Sequence, residues 1–394
     1  MRVMHIISGR LYGGVETLLV TLARCRELCA GMEPEFALCF DGRLGEELAK
    51  TGVAVHSLGE VRARYPLSVL RARRRLREVL DTGSFDVVVC HLAWTQAIFG
   101  TVARKAGVPL AFWMHDPASG RGWLERWAAL TPPDSAICNS EYTANSLPAI
   151  FPGLPFDVIY LPVQGCEPDL PRPDRLQVRR EFDTPAEAVV IVQVSRMEPW
   201  KGQMVHLAAL SQLREVPGWV AWFVGGAQRA DEVAYASALK DAASAFGIAD
   251  RVRFVGERPE VAKILAASDI FCQPNVDPEP FGIVFVEALN AGLPVVASAS
   301  GGALEIVDSS CGILVPQRKS EAVADALRRL ISDRDLRGRL GAAGPTHAKQ
   351  LTDPAIQLSL LRTSLEAISS RKAVTSERRP VGIAARAQSD QRVE

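Results

Sequence analysis

The stretch Glu279-Pro280-Phe281-Gly282-Ile283-Val284-Phe285-Val286-Glu287, continuing as Ala288-Leu289-Asn290-Ala291-Gly292-Leu293-Pro294-Val295-Val296, reads as a helix followed at once by a strand. Proline is tolerated in the first turn of a helix, so Pro280 puts the helix start beside Glu279 and the helix is expected to run to about Ala291. Short apolar runs at 270–273 and 294–297 flank it. Two strands joined by a helix are the unit of a parallel sheet. Working outward, the same alternation fills residues 189–315, with further runs at 189–194, 220–224, 252–255 and 313–315. An earlier series lies at 3–7, 36–40, 53–57, 87–90, 110–114, 136–139 and 158–160. Runs this uniformly apolar belong to sheets covered on both faces. The expected fold class is therefore α/β, with two Rossmann-like domains whose parallel sheets face each other across a cleft.

A chain of 394 residues suits two domains of roughly 150 to 200 residues each. Pro148, Pro152, Pro155, Pro162, Pro168, Pro171, Pro173 and Pro185 crowd one segment, as a boundary does and an element interior does not. The hinge is expected near 163–184, which divides the chain into 1–170 and 171–350. A helix within 351–371 is expected to pack back on the first domain, and 372–394, polar and without periodicity, to be a disordered tail. Lys+Arg and Asp+Glu balance at 45 each, which excludes a nucleic-acid-binding field. No apolar run reaches the roughly 20 residues of a membrane span, and Met1 to Ile7 leads straight into a strand, so a cytoplasmic protein is expected. The eight cysteines lack C-x-x-C pairs and fit small buried hydrophobes better than a disulfide scaffold or zinc site.

Ligands of open parallel sheets sit beyond the carboxyl ends of the strands, so chemistry is sought in the loops there. The helix start after Glu279 offers unpaired N–H groups and a positive dipole end to phosphate oxygens. Glu279 and Glu287 are suited to accept hydrogen bonds from sugar or ribose hydroxyls; taken alone, they could equally be solvated acids of a surface helix. Val194-Ser195-Arg196-Met197-Glu198-Pro199-Trp200-Lys201-Gly202 leaves the first strand of the second domain and brings two cations into one loop. Arg196 can fork onto two phosphate oxygens while Lys201 acts as a point charge, the pairing a diphosphate needs.

Arg196 and Lys201, followed by two glutamates with seven residues between them, resemble the signature of the retaining GT-B glycosyltransferases of family four, the glycosyl transferases group 1. The similarity runs from Gly13-Gly14-Val15-Glu16 to the strand near Val315. It implies that Arg196 and Lys201 neutralise a leaving nucleoside diphosphate, that Glu279 binds hydroxyls of the donor sugar, and that Glu287 binds the ribose. Backbone N–H groups around Phe281, Gly282 and Ile283 would complete the phosphate cradle. The glycine turns Val255-Gly256-Glu257-Arg258 and Val224-Gly225-Gly226-Ala227 would hold base and phosphate. In the first domain, Gly13, Gly14 and Glu16 would border the acceptor and reaction centre. His115, just past a strand, matches a histidine that the family keeps near the donor sugar, and His91 is a second strand-end candidate on the acceptor side. Asn139-Ser140-Glu141-Tyr142 resembles the family's stretch that precedes a cleft-lining helix, and could equally be an N-cap. Ser300-Gly301-Gly302-Ala303-Leu304-Glu305-Ile306 matches a further family loop, although Ala303-Leu304 departs from its commoner continuation.

The turn at Gly13-Gly14 lacks G-x-G-x-x-G spacing, which argues against a dehydrogenase. Asp333-Arg334-Asp335 spells a metal-binding D-x-D but falls away from any strand end, so no metal and no other cofactor is expected. Arg62, Arg64, Arg71, Arg73, Arg74, Arg75 and Arg77 form a basic segment suited either to anionic lipid at the inner membrane face or to a solvated helix face. The resemblance implies a nucleotide-sugar donor and a glycan, lipid-linked or small-molecule acceptor, with hexosyl transfer and retained configuration. An epimerase of nucleotide sugars and a non-catalytic binding relative are the alternatives on the same architecture.

Overall fold

The computed structural model describes residues 1–10, 12–165 and 175–377, the stretch 371–377 by its backbone alone. The first sheet contains β1 (Arg2–Ile7), β2 (Glu33–Leu38), β3 (Val55–Ser57), β4 (Val87–His91), β5 (Leu110–Met114), β6 (Ser135–Cys138) and β7 (Phe156–Val158), in the order β3-β2-β1-β4-β5-β6-β7. The second contains β8 (Val189–Val194), β9 (Trp219–Val224), β10 (Val252–Gly256), β11 (Ile270–Gln273), β12 (Val295–Ser298) and β13 (Gly312–Val315), in the order β10-β9-β8-β11-β12-β13. Every pairing is parallel. Each sheet reverses its winding next to its first strand, between β1 and β4 and between β8 and β11, which opens a crevice above those strand ends. β4 is buried from Val87 to His91 because helices cover both faces, and that burial explains its unbroken apolar run.

Three expectations need correction. The last strand of the first sheet lies at Phe156–Val158 rather than 158–160; it is an edge strand with Phe156 45% exposed, so no apolar pattern marks it. The helix after Glu279 spans Ile283–Asn290 and does not begin at Pro280. Gly282, at φ +106°, turns the chain out of helical geometry, and residues 279–281 are drawn against the 300–302 loop, where Gly302 N–H donates to the Glu279 carbonyl at 2.8 Å. The hinge segment holds a helix, Arg175–Glu181, which belongs to the second domain. Its buried Arg179 donates to the Ala267 and Ala188 carbonyls and pairs with Asp269 at 2.6 Å. Pro168, Pro171 and Pro173, and the boundary drawn at 170, lie outside the described residues.

The chain returns to the first domain at its end. Val163 N–H donates to the Thr352 carbonyl, and the Pro354–Glu377 helix buries Leu358, Leu361, Leu365 and Ile368 in one core with Val3, Val87 and Trp113. Arg362 donates to the Ala30 carbonyl at 2.8 Å and Ser364 to Asp157 at 2.7 Å. The helix continues past 372, where a disordered tail is expected to begin; residues 378–394 lie outside the described residues. Asp333 is a helix cap, accepting from Leu336 N–H at 2.8 Å, which gives the D-x-D triplet a structural use.

Candidate active site

The strand ends of the two sheets face each other across a cavity of about 1050 Å³. On the second-domain side, the 195–202 loop is held by backbone crowding and amide side chains. Gly202 adopts φ +74°, and a Cβ there would lie 1.9 Å from the Pro274 carbonyl oxygen; Gly225 approaches the Ser195 carbonyl equally closely. Such contacts admit only glycine. Gln203 donates to Ser195 Oγ and to the Arg196 carbonyl at 3.0 and 2.8 Å. Gln193 donates to the Lys201 carbonyl at 2.8 Å, its own oxygen fixed 2.9 Å from Nδ1 of buried His206.

The two cations are in place and carry internal counter-ions. Lys201 Nζ lies 3.0 and 2.7 Å from the two oxygens of Glu279, which also accepts from Asn275 at 2.6 Å. Arg196 pairs with Glu198 at 2.5 Å and with Glu232 at 3.6 Å, and Arg229 reaches the same two carboxylates at 2.6 and 2.9 Å. Glu198 and Glu232 are buried, so each needs the positive charge beside it. Removing either would free Arg196 from its aim as well as unbalance the loop. Glu232 lies in the Ala230–Ala245 helix, and no spacing in the sequence ties it to Arg196.

Above these cations sits the Ile283–Asn290 helix. Its first turn closes with Phe285 N–H donating to the Gly282 carbonyl, so the N–H groups of Ile283 and Val284 stay free of intrahelical bonds. Phe281, Gly282, Ile283 and Glu287 all line the cavity. Glu287 keeps some surface open to it, yet protein encloses the carboxyl closely enough that burial pushes its pKa up to about 7.

On the first-domain side, Gly13, Gly14, Glu16, His115 and Asp116 complete the lining. Glu16 caps Gly13 N–H at 3.0 Å; burial raises its pKa, against the pull of Arg196 across the cleft. Asp116, which sequence reasoning passes over, is reachable from the cavity but ringed by protein, and burial and then Glu279 raise its pKa. Two expected residues do not reach the cavity. His91 is fully buried behind His115, because its side chain lies along the sheet face that the C-terminal helix covers. Gly256 is turned away, its carbonyl accepting from Gly225, whereas neighbouring Arg258 lines the cavity and pairs with Glu181 at 3.2 Å.

Polar contacts join the two lips. Ser140 caps the Glu141–Ala144 helix, as the N-cap reading expects, and also donates to the Pro280 carbonyl at 2.6 Å; it is fully buried and does not itself line the cavity. Glu305 accepts from the Glu141 and Tyr142 N–H groups at 2.9 and 3.0 Å. Tyr12 and Gln228 exchange two bonds at 3.4 and 3.1 Å. The basic segment is less open than its composition implies. Arg73 turns inward to the Ile98 carbonyl, and Arg62, Arg74 and Arg77 pair with Glu60, Glu78 and Asp81.

Two parallel α/β sheets of one winding order, facing across a cleft lined by cations and a helix start, define the GT-B glycosyltransferase fold. Comparison with known proteins agrees. The profile described as Glycosyl transferases group 1 matches residues 174–347, and that described as Glycosyltransferase Family 4 matches residues 12–164. The chain is 36% identical over 294 residues to a GDP-mannose-dependent alpha-(1-6)-phosphatidylinositol monomannoside mannosyltransferase of Mycobacterium tuberculosis, covering 68% of this chain and 73% of that one. It is 30% identical over 324 residues to a D-inositol 3-phosphate glycosyltransferase of Stackebrandtia nassauensis, covering 76% and 72%. Anabaena HepE, solved with UDP and glucose, superposes with a TM-score of 0.77 at 24% identity, covering 96% of this chain and 100% of that one. A Rickettsia africae glycosyltransferase superposes with a TM-score of 0.81 at 18% identity, covering 93% and 98%. The chain belongs to glycosyltransferase family four, the glycosyl transferases group 1.

Proposed function

We propose that the chain transfers a hexosyl group from a nucleoside-diphosphate sugar to a hydroxylated acceptor with retention of anomeric configuration, its own cations rather than a metal ion neutralising the leaving group. The observation that carries this reading is the convergence of Arg196, Lys201 and the Ile283 helix start on one cavity. As the bond from the anomeric carbon to the diphosphate breaks, negative charge grows on the phosphate oxygens, where preorganised donors stabilise it. Lys201 then exchanges part of its contact with Glu279 for phosphate, which leaves Glu279 free to accept sugar hydroxyls. The acceptor oxygen attacks the anomeric carbon from the face the diphosphate leaves, and its proton passes to the departing phosphate oxygen. His115 and Asp116 face the sugar from the first domain, and Glu287 takes the ribose.

The two relatives favour GDP-mannose as donor and an inositol phosphate or a phosphatidylinositol mannoside as acceptor. Among the described residues no helix is long and apolar enough to cross a membrane. Contact with a lipid surface is proposed instead through Tyr65, Leu67 and Leu70 beside Arg64, Arg71 and Arg75, together with Trp123 and Leu130 of the adjoining helix face. The test is a panel of GDP-mannose, UDP-glucose and UDP-N-acetylglucosamine, each with and without inositol phosphates and with and without chelator, followed by NMR of the product's anomeric proton. Transfer that survives chelation and keeps the donor's configuration supports the reading. Inverted product, or epimerised donor without transfer, contradicts it.

A further inference from the structure

His5 in β1, His91 at the end of β4 and His115 directly after β5 form a ladder across one face of the first sheet. The register pairs His5 with Val89 and His91 with Trp113, so each histidine stands one strand over and two residues nearer the cleft than the one before. An offset of two residues keeps all three side chains on the same face. His5 Nδ1 lies 3.0 Å from His91 Nε2, and His91 Nδ1 lies 2.9 Å from His115 Nε2. The His91 and His115 rings stack within 9°, with Trp113 against both. All three are buried, and the two ends of the ladder, His5 Nε2 and His115 Nδ1, meet no protein partner.

Proton counting leaves the ladder only two states. Burial pulls the pKa of His5 and of His115 down to about 3 and that of His91 well below its usual value, so each ring is neutral and carries one N–H. Two hydrogen bonds use two of the three protons, and the third must sit at one end. In one state it is on His5 Nε2, in a dry core against Phe36. In the other it is on His115 Nδ1, on the one residue of the ladder that lines both the large cavity and the adjoining one of about 320 Å³. An orphaned N–H in a dry core costs more than a bare ring nitrogen. His115 Nδ1, buried in the empty protein, belongs to a residue of the cavity wall and is the end of the ladder that a small side-chain adjustment brings to a water or ligand oxygen. The second state therefore wins.

We infer that His91, backed by His5, is a positioning residue that locks His115 as its Nδ1–H tautomer, a committed hydrogen-bond donor to a hydroxyl or ring oxygen of the sugar bound in the cavity. The identity of that ligand rests on the proposed transferase reading; the tautomer does not. A neutral donor of fixed direction holds a sugar without adding positive charge beside Arg196 and Lys201.

The test is long-range proton–nitrogen correlation NMR on full-length protein labelled with 15N-histidine. The six histidines are few enough to assign by losing one signal at a time in His5→Asn, His91→Asn and His115→Asn. The expected result is three rings protonated at Nδ1, the reverse of what free imidazole side chains prefer in water; a His115 protonated at Nε2 overturns the inference. A kinetic arm separates aim from mere packing. His91→Leu, which cannot donate to His115, should lower kcat about tenfold with little change in acceptor KM, and His91→Asn, whose amide N–H replaces Nδ1–H, should recover most of that loss. Equal loss in both variants contradicts the inference. An inactive wild-type chain would sink the transferase reading and leave the NMR result to decide the ladder.

Discussion

The two halves share a strand order and differ in what they place at the strand ends. The second half gathers Arg196, Lys201 and Arg229 against Glu198, Glu232 and Glu279, a lattice of paired charges around one loop. The first half presents Gly13, Gly14, Glu16, Asp116 and one neutral histidine, His115, backed by a buried row of two more. The difference matches the two parts of a sugar nucleotide. A diphosphate carries the same charge whatever sugar is attached, and fixed cations suit it. A sugar is neutral and is told apart by the direction of its hydroxyls, which calls for donors and acceptors of fixed orientation.

Breaking the charged half should have the largest effect. Arg196→Ala or Lys201→Ala is expected to lower kcat/KM by about 10²–10³-fold while circular dichroism stays native, because on the proposed mechanism each removes a donor aimed at charge that develops in the transition state. Unchanged rates in both variants would end the comparison. Next in size is the scaffold beneath them. Gly202→Ala puts a Cβ 1.9 Å from the Pro274 carbonyl oxygen at φ +74°, and urea unfolding should report a loss of about 3 kcal/mol.

Glu287 gives a smaller, pH-dependent effect of defined sign. In the empty site burial holds it protonated up to about 7, while ribose hydroxyls are best accepted by the ionised carboxylate. Nucleotide affinity should therefore rise about tenfold between about pH 6 and about pH 8 and level off above, with Glu287→Gln removing the slope. The empty protein should lose stability as pH rises from about 4.5 to about 7 and level off above, since over that range the folded state keeps a proton on Glu287 that the unfolded chain has released. Calorimetry at several pH values checks both. The smallest effect lies outside the cleft: replacing Leu67 and Leu70 with serine should weaken co-sedimentation with phosphatidylglycerol vesicles by about tenfold and leave turnover of a soluble acceptor unchanged.

Most of the fold is legible in the sequence because buried parallel strands write continuous apolar runs, and all thirteen strands lie within three residues of where those runs place them; β2 and the edge strand β7 are the two shifted bodily by two residues or more. The Arg196–Lys201 loop and the Glu279–Glu287 stretch are each legible because their residues are spaced within one short segment; the Lys201–Glu279 contact that joins the two, 78 residues apart, is not. Glu232 is not, because only the β9 loop and the helix after it carry its carboxylate to Arg196. His91 illustrates the opposite failure. A strand end points toward the cleft, but a side chain at that end points across the sheet, and the helix covering that face comes from residues 354–377. Period-two alternation does place His5, His91 and His115 on one face once the register is known; no local pattern supplies the register.

The most direct test is calorimetric titration of the wild-type chain, Arg196→Ala and Lys201→Ala with GDP and UDP, each compared with its monophosphate. If the cations and the helix start grip the β-phosphate, the wild type should prefer the matching diphosphate by about tenfold or more and both variants should lose that preference. Equal affinity for mono- and diphosphate in the wild type, or an undiminished preference in both variants, would contradict it.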